Sequence, residues 1–375
     1  MNLSPSWRRG AMAVGALLVV STAAACGGAS GDSTSGASGD GTTQAQLDAA
    51  KQVVDTASAA ITEVNAPTAS PPVATGKSVV VIPCSYAAEG CKRSADAVVE
   101  AAGALGWKAQ MIDPAGDPEK MRSAVETAIH LGANGIVLAA VPPAVVKTQI
   151  ADAKAAGIKV INTLESPDPI YDASATTDHV AAGRMDAAFT AMNSGGKAHV
   201  ILINDPEFQS VVDWHKGYTE GLKEFCSGCE VVADFDFQIA NLQTTVPTQF
   251  QATLQAHPDA NYVWGAYDPV AAAIQPVIAR SANPDGIQIV SHNGDPFALK
   301  SIKAGGQNFS ATVAYPIEWQ SYVAMDLMNR LFNNQPPADI NVNVPNKLVT
   351  KDNVTTIPWS GDVDWKTAYL TLWGV

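Results

Sequence analysis

Basic side chains are scarce: 23 Lys and Arg stand against 36 Asp and Glu, a formal charge of −13 at neutral pH. Such a surface repels phosphate backbones and offers no basic stripe, which excludes nucleic-acid binding. Long apolar runs are scarce as well. The run at residues 11–20 holds ten residues, well short of the ~20 that a membrane-spanning helix needs. Catalytic signatures are also missing. There is no G-x-S-x-G elbow, no G-x-x-x-x-G-K-[ST] loop and no H-E-x-x-H, and the six His fall one per segment. Asp234 and Asp236 share one face of a strand, but strand-end acids of this kind are solvated, so no enzyme is expected. No metal or cofactor is expected either.

What is present is a globular composition. Apolar residues make up 47% and charged residues 16% of the chain, with 8 Trp, 8 Tyr and 9 Phe. At roughly 100–200 residues per domain, a chain of 375 residues suggests two domains once the N-terminal segment is set aside. That segment has Arg8 and Arg9, the apolar run, and Ala23 to Ala25 before Cys26, which predicts a signal peptide over residues 1–25. Small residues before a cysteine resemble a bacterial lipobox, which would make Cys26 the lipidated first residue of the mature chain. Ala23 stands where lipoboxes usually carry Leu, so cleavage without lipidation is the alternative. Residues 26–43 are almost wholly Gly, Ser, Thr, Ala and Asp, the composition of a flexible leash.

Four cysteines remain, in two close pairs: Cys84 with Cys91 and Cys226 with Cys229. An even number in an exported chain favours disulfides; three connectivities are possible, and the two local ones are the simplest. The C-S-G-C run could instead be a redox dithiol or half a zinc site. It follows a helix-like run and precedes a strand, the reverse of a thioredoxin-type motif, and no further ligands at zinc spacing lie nearby.

Between residues 44 and 65, Leu47, Ala50, Val54, Ala57, Ile61 and Val64 recur at alternating spacings of three and four, predicting one amphipathic helix that packs back on its own domain. A Pro-rich stretch follows to residue 75. Strand-like runs then alternate with helices. K-S-V-V-V-I-P (77–83), residues 109–112, G-I-V-L-A (135–139) and I-K-V-I-N (158–162) read as strands, separated by helices over residues 92–107, 118–131 and 143–156. Asp117 caps the middle one, with Pro118 at its first position. A second series runs from Asp178, with strands at 198–203, 230–233, 261–265 and 287–290. Continuous apolar strands between helices imply parallel sheets covered on both faces, hence an α/β protein of two doubly wound, Rossmann-like domains.

The order of several motifs carries a resemblance: A-L-G-W (104–107), L-G-A-N-G-I-V-L (131–138), A-K-A-A-G-I-K-V-I (153–161), T-D-H-V-A-A-G (177–183), H-K-G-Y (215–218), H-P-D-A (257–260) and A-T-V-A-Y-P (311–316). In this order they resemble the ribose-binding type of periplasmic solute-binding protein, over residues 76–353. The same fold serves as effector domain of lac-repressor-type regulators, but those need an N-terminal helix-turn-helix and a basic face. The resemblance implies a monomeric lipoprotein that delivers a small molecule to an ABC permease and ATPase, with a sensing lipoprotein as the alternative. It also implies three crossings between lobes, near Thr177, Tyr315 and Asn343. One lobe would comprise residues 77–177 and 316–342, the other 178–315 and 343–375.

In doubly wound sheets ligands bind beyond the carboxyl ends of strands. The residues there are Ser85, Tyr86 and Glu89; Glu165 and Asp168; Asp178 and His179 at the first crossing; Phe208 and Trp214; Phe235 and Asp236; Tyr267 and Asp268; His292, Asn293 and Asp295; and Tyr315 with Trp319. Aromatics that stack on ring faces beside planar polar groups suit a sugar. Asp178 and Asp268 also open helices, so capping is their other reading. Against the ribose binders, Trp214 replaces an Arg, Tyr267 an Asn, Asn293 an Asp and Tyr315 a Gln. Aromatics in place of charged forks imply a larger or more amphipathic ligand than a pentose: a substituted sugar, a nucleoside or an aromatic catabolite.

Overall fold

Alternating apolar strands and amphipathic helices build two separate sheets. The computed structural model describes residues 41–305, 308–336 and 339–375; the signal segment, Cys26 and most of the leash expected above lie outside the described residues. In chain order, α1 (Gln44–Ser58) leads through an extended stretch to β1 (Ser78–Pro83), α2 (Glu89–Ala104), β2 (Lys108–Met111), α3 (Pro118–His130), β3 (Gly135–Ala139), α4 (Pro143–Ala155), β4 (Lys159–Thr163) and β5 (Ala173–Thr176). The second series is α5 (His179–Asn193), β6 (His199–Asn204), α6 (Gln209–Phe225), β7 (Glu230–Asp236), α7 (Leu242–Ala256), β8 (Tyr262–Gly265), α8 (Asp268–Ile278), β9 (Gln288–Asn293), α9 (Pro296–Ala304) and β10 (Phe309–Ala314). The chain ends with α10 (Ile317–Phe332), β11 (Asn341–Asn343), β12 (Lys347–Thr350) and α11 (Trp365–Trp373).

The first sheet has the order β11-β5-β4-β3-β1-β2 and is parallel throughout. The second has the order β12-β10-β9-β8-β6-β7, parallel except for β12, which runs antiparallel to β10. In each sheet the chain starts in an inner strand, β1 or β6, adds one neighbour, then returns to the other side. That reversal opens a crevice at the carboxyl ends of the central strands. Complete burial of β3 fits a strand covered by helices on both faces. Asp117 caps α3 through the backbone N–H groups of Glu119 and Lys120, as its place before Pro118 requires.

Three expectations change. The first helix stops at Ser58 instead of reaching residue 65. Asp362 accepts from the Ile61 backbone N–H at 3.0 Å and Asn353 donates to the Ser58 carbonyl at 3.0 Å, drawing the chain off the helix. Ile61 and Val64 pack against the first lobe from an extended strap. Farther along that strap, Ser70 donates to Asp326 at 2.6 Å, Asn329 to the Pro71 carbonyl at 3.0 Å, and Trp107 Nε1 to the Ala74 carbonyl at 2.6 Å. Because α1 rests on α5 and β12, residues 43–74 touch both lobes. Second, β7 runs on to Asp236, so Phe235 and Asp236 are strand residues and not the loop beyond. Third, α11, placed by sequence with the second lobe, packs on the first: Trp373 stacks on Tyr322 of α10 at 5.5 Å. Cys84 is joined to Cys91 and Cys226 to Cys229, with Cα separations of 6.0 and 5.3 Å.

Candidate functional site

A cavity of about 200 Å³ lies where the carboxyl ends of the two sheets face each other. From the first sheet it takes the loop after β1 with the Cys84–Cys91 bridge, Ala140 after β3 and Leu164 after β4. From the second it takes Phe208 and Trp214 after β6, Tyr267 after β8, Asn293 at the end of β9 and Tyr315 after β10. Ala140, Leu164 and Asn293 hold positive φ of 52°, 69° and 117°, conformations that cost side-chain-bearing residues energy and concentrate at ligand sites.

Trp214 owes its place to a glycine pair. A Cβ on Gly183 would lie 1.9 Å from the Trp214 carbonyl oxygen, and one on Gly217 would lie 2.0 Å from that of Val180. Only bare backbone lets α5 and α6 approach this closely. The indole stacks on His292, centroids 4.4 Å apart and planes 5° from parallel, with His179 at its edge. Burial drives His292 down to about 3 and His179 down to about 4, so both rings are neutral at neutral pH. Trp214 is buried, and its indole N–H has no hydrogen-bond partner.

The two tyrosines are held by polar partners. Tyr267 donates to Asp205 at 2.9 Å and Tyr315 to Asn293 Oδ1 at 2.7 Å. Burial pushes the Asp205 carboxyl up to about 7. Behind them Asp268 accepts from Ser291, from Thr312 at 2.9 Å and from the Asp295 backbone N–H at 2.7 Å, which shapes the loop after β9.

Direct bonds join the lobes across the crevice. Glu165, after β4, accepts from the Ser166 N–H at 2.9 Å and from the Ser210 N–H in the first turn of α6 at 2.6 Å. A carboxylate suits a helix N-terminus, yet burial dominates and pushes Glu165 up to about 7. Ser166 donates to Asp213 at 2.6 Å. Arg93 of α2 sends Nε and Nη2 to Glu318, both at 2.8 Å, and Nη1 to Asp295 at 3.1 Å. It also donates to the Gly294 and Trp359 carbonyls.

This two-lobed frame agrees with sequence comparison: residues 79–336 match the profile of the periplasmic binding protein domain. The chain belongs to the periplasmic binding protein family. Among curated relatives, the ribose import binding protein RbsB of Bacillus subtilis (strain 168) is 26% identical over 253 residues, 66% of this chain and 78% of that protein. Among solved structures, the Caulobacter myo-inositol binding protein bound to myo-inositol superposes with TM-score 0.69 at 20% identity, covering 78% of this chain and 99% of that one. An ABC transporter solute binding protein from Mycobacterium smegmatis with bound glycerol gives TM-score 0.67 at 22% identity, covering 74% and 95%. At such identities the likeness to the solved structures is one of fold.

Within this periplasmic binding protein, Ser85, Glu89, Phe208, Trp214, Tyr267, Asn293 and Tyr315 come together around the cavity. Other candidates sit elsewhere. Tyr86 turns away along α2, where its hydroxyl donates to Asp96 at 2.8 Å and the Lys92 ammonium covers its ring. Asp178 caps α5 through the Ala181 N–H at 2.8 Å, and His179 is buried against Thr176 at 3.1 Å. Phe235 faces the core, while its strand neighbour Asp236 is exposed and accepts from Asn204. Asp168 accepts from the Ile170 N–H within its own turn. Glu165, Asp268 and Asp295 serve the protein's own network, His292 lies beneath Trp214, and Trp319 is buried in α10. Sequence reasoning missed Arg93, inside α2, and Asp205, the residue after β6, and because it sought aromatic and polar groups only it missed the apolar wall of Ala140, Leu164, Val211 and Leu242. Among the described residues no cluster of His, Cys, Asp and Glu could hold a metal ion, and no helix is long and apolar enough to cross a membrane.

Proposed function

We propose that this protein is the extracytoplasmic binding subunit of an ABC importer, capturing one sugar-like small molecule in the crevice and releasing it unchanged. The observation that carries this reading is a single cavity walled by the strand ends of both sheets, so one ligand touches both lobes. Contacts to both lobes favour the closed arrangement, and a permease can then tell loaded protein from empty. The names of the relatives point the same way: one is a ribose import protein and another holds myo-inositol. On this reading Cys26 carries the lipid and a monomer meets a permease and its ATPase, while the leash expected over residues 26–43 ends before Gly41, because Gly41 and Thr42 bond to the second lobe and Thr43 caps α1.

Calorimetry with a panel of pentoses, hexoses and cyclic polyols tests the capture, paired with small-angle scattering before and after ligand. Trp214→Ala and Tyr267→Ala should each weaken binding about tenfold or more, on the scale of losing a buried aromatic contact. Unchanged affinity in both variants would mean that the rings only fill the core. The anchor has its own test: Cys26→Ser should release the protein to the medium, and retention on the membrane would refute it.

A further inference from the structure

The cavity wall narrows the ligand's chemistry, given the reading that the crevice holds a sugar-like molecule. Among the described residues around the cavity, Glu89 alone is charged. The ionisable groups bordering the crevice are engaged by the protein itself. All five N–H donors of Arg93 are bonded to Glu318, Asp295 and the Gly294 and Trp359 carbonyls. Asp205 accepts from Tyr267, Asp268 from Ser291, Thr312 and the Asp295 N–H, and Glu165 from two backbone amides. No free guanidinium is left to grip an anion, and no free pair of planar ionised groups to bracket adjacent hydroxyls. The neutral polar side chains of the wall are Ser85, Ser210, Gln243 and Asn293 beside the two tyrosines, and of these Ser210 and Asn293 already bond to Glu165 and to Asp295 and Tyr315.

The rest of the wall is apolar or aromatic: Phe208, Val211, Leu242, Tyr267 and Tyr315. A volume of about 200 Å³ admits one ring with small substituents, since pockets for larger ligands start near ~300 Å³.

We infer that the ligand is an uncharged single-ring compound with few free hydroxyls, a deoxy or O-alkylated sugar or cyclic polyol, that turns its apolar face to the tyrosines. Anionic sugars are excluded because Glu89 has no compensating cation in the wall. Matched pairs test this on protein stripped of ligand by unfolding and refolding. Calorimetry compares D-galactose with D-fucose, D-ribose with 2-deoxy-D-ribose, and myo-inositol with its mono-O-methyl ether, with D-galacturonate as the anion. In at least one pair the less hydroxylated or methylated member should bind tenfold tighter or better, and D-galacturonate should not bind. Tighter binding of the fully hydroxylated member in every pair, or tight binding of D-galacturonate, would overturn this inference and leave the capture of a sugar intact. No binding by any member of the panel would overturn both.

Discussion

Arg93 is the side chain whose replacement tells most about how the lobes are held. It is buried at 6% exposure, pairs with Glu318 of its own lobe, and crosses to Asp295, Gly294 and Trp359 on the other side of the crevice. Arg93→Met keeps most of the volume and removes the charge, which strands the Asp295 carboxylate at 4% side-chain exposure and the partly exposed Glu318. Removing one partner of a buried ion pair costs ~3–5 kcal/mol, because the remaining charge is left desolvated without compensation. For a chain of this size, at roughly 2 °C per kcal/mol, the melting temperature should fall by roughly 6–10 °C. Urea unfolding of the ligand-free protein measures the loss directly. Neutralising the set together, as Arg93→Met, Asp295→Asn and Glu318→Gln, should recover most of it, since the penalty lies in unpaired charge and not in lost bonds. A loss below about 1 kcal/mol in the single variant, or a triple variant as unstable as the single one, would refute the reasoning.

Glu165 should give stability an unusual pH dependence. Burial raises its pKa from 4.5 to about 7, so the fold favours the protonated acid; its contribution is full below 4.5 and is lost as pH rises through 7. The stability difference between wild type and Glu165→Gln should therefore shrink by about 3 kcal/mol from pH 4.5 to 7.5, and a flat difference would show the carboxyl to be ionised and satisfied by its two amides. His179 and His292, both depressed by burial, oppose this trend in the wild type as pH falls below 6.5, so the variant comparison is needed to isolate Glu165. Replacing Cys84 and Cys91 by Ser together should lower stability by about 2 kcal/mol, the entropy of so short a ring, and weaken ligand binding because the bridge walls the cavity; denaturant midpoints and calorimetry check both. Asn329→Ala removes the bonds to the Ala74 N–H and the Pro71 carbonyl, and hydrogen exchange across residues 59–74 should rise while that of β3 stays slow.

The alternation of strands and helices was legible because each element announces itself locally. G-I-V-L-A is β3 to the residue, and Asp117 followed by Pro118 starts α3. Elements defined by distant partners were not legible: β5, β11 and β12 are strands of three or four residues that exist through their neighbours, and α1 ends early because Asp362, three hundred positions away, takes the Ile61 amide. The same division runs through the site. Trp214, Tyr267, Asn293 and Tyr315 were readable as crevice residues because they follow the central strands. Tyr86, Asp178, Phe235 and Asp236 were not separable from them, since a helix cap, a nearby carboxylate or two more residues of strand decides where each side chain goes. The sequence by itself determined the α/β class, the strand-end positions available to a ligand and the acidic, cation-poor chemistry, because composition and periodicity are properties of the chain. Which acids are already engaged and which apolar residues close the wall depended on the tertiary structure, because hydrogen bonds and burial join residues far apart in sequence.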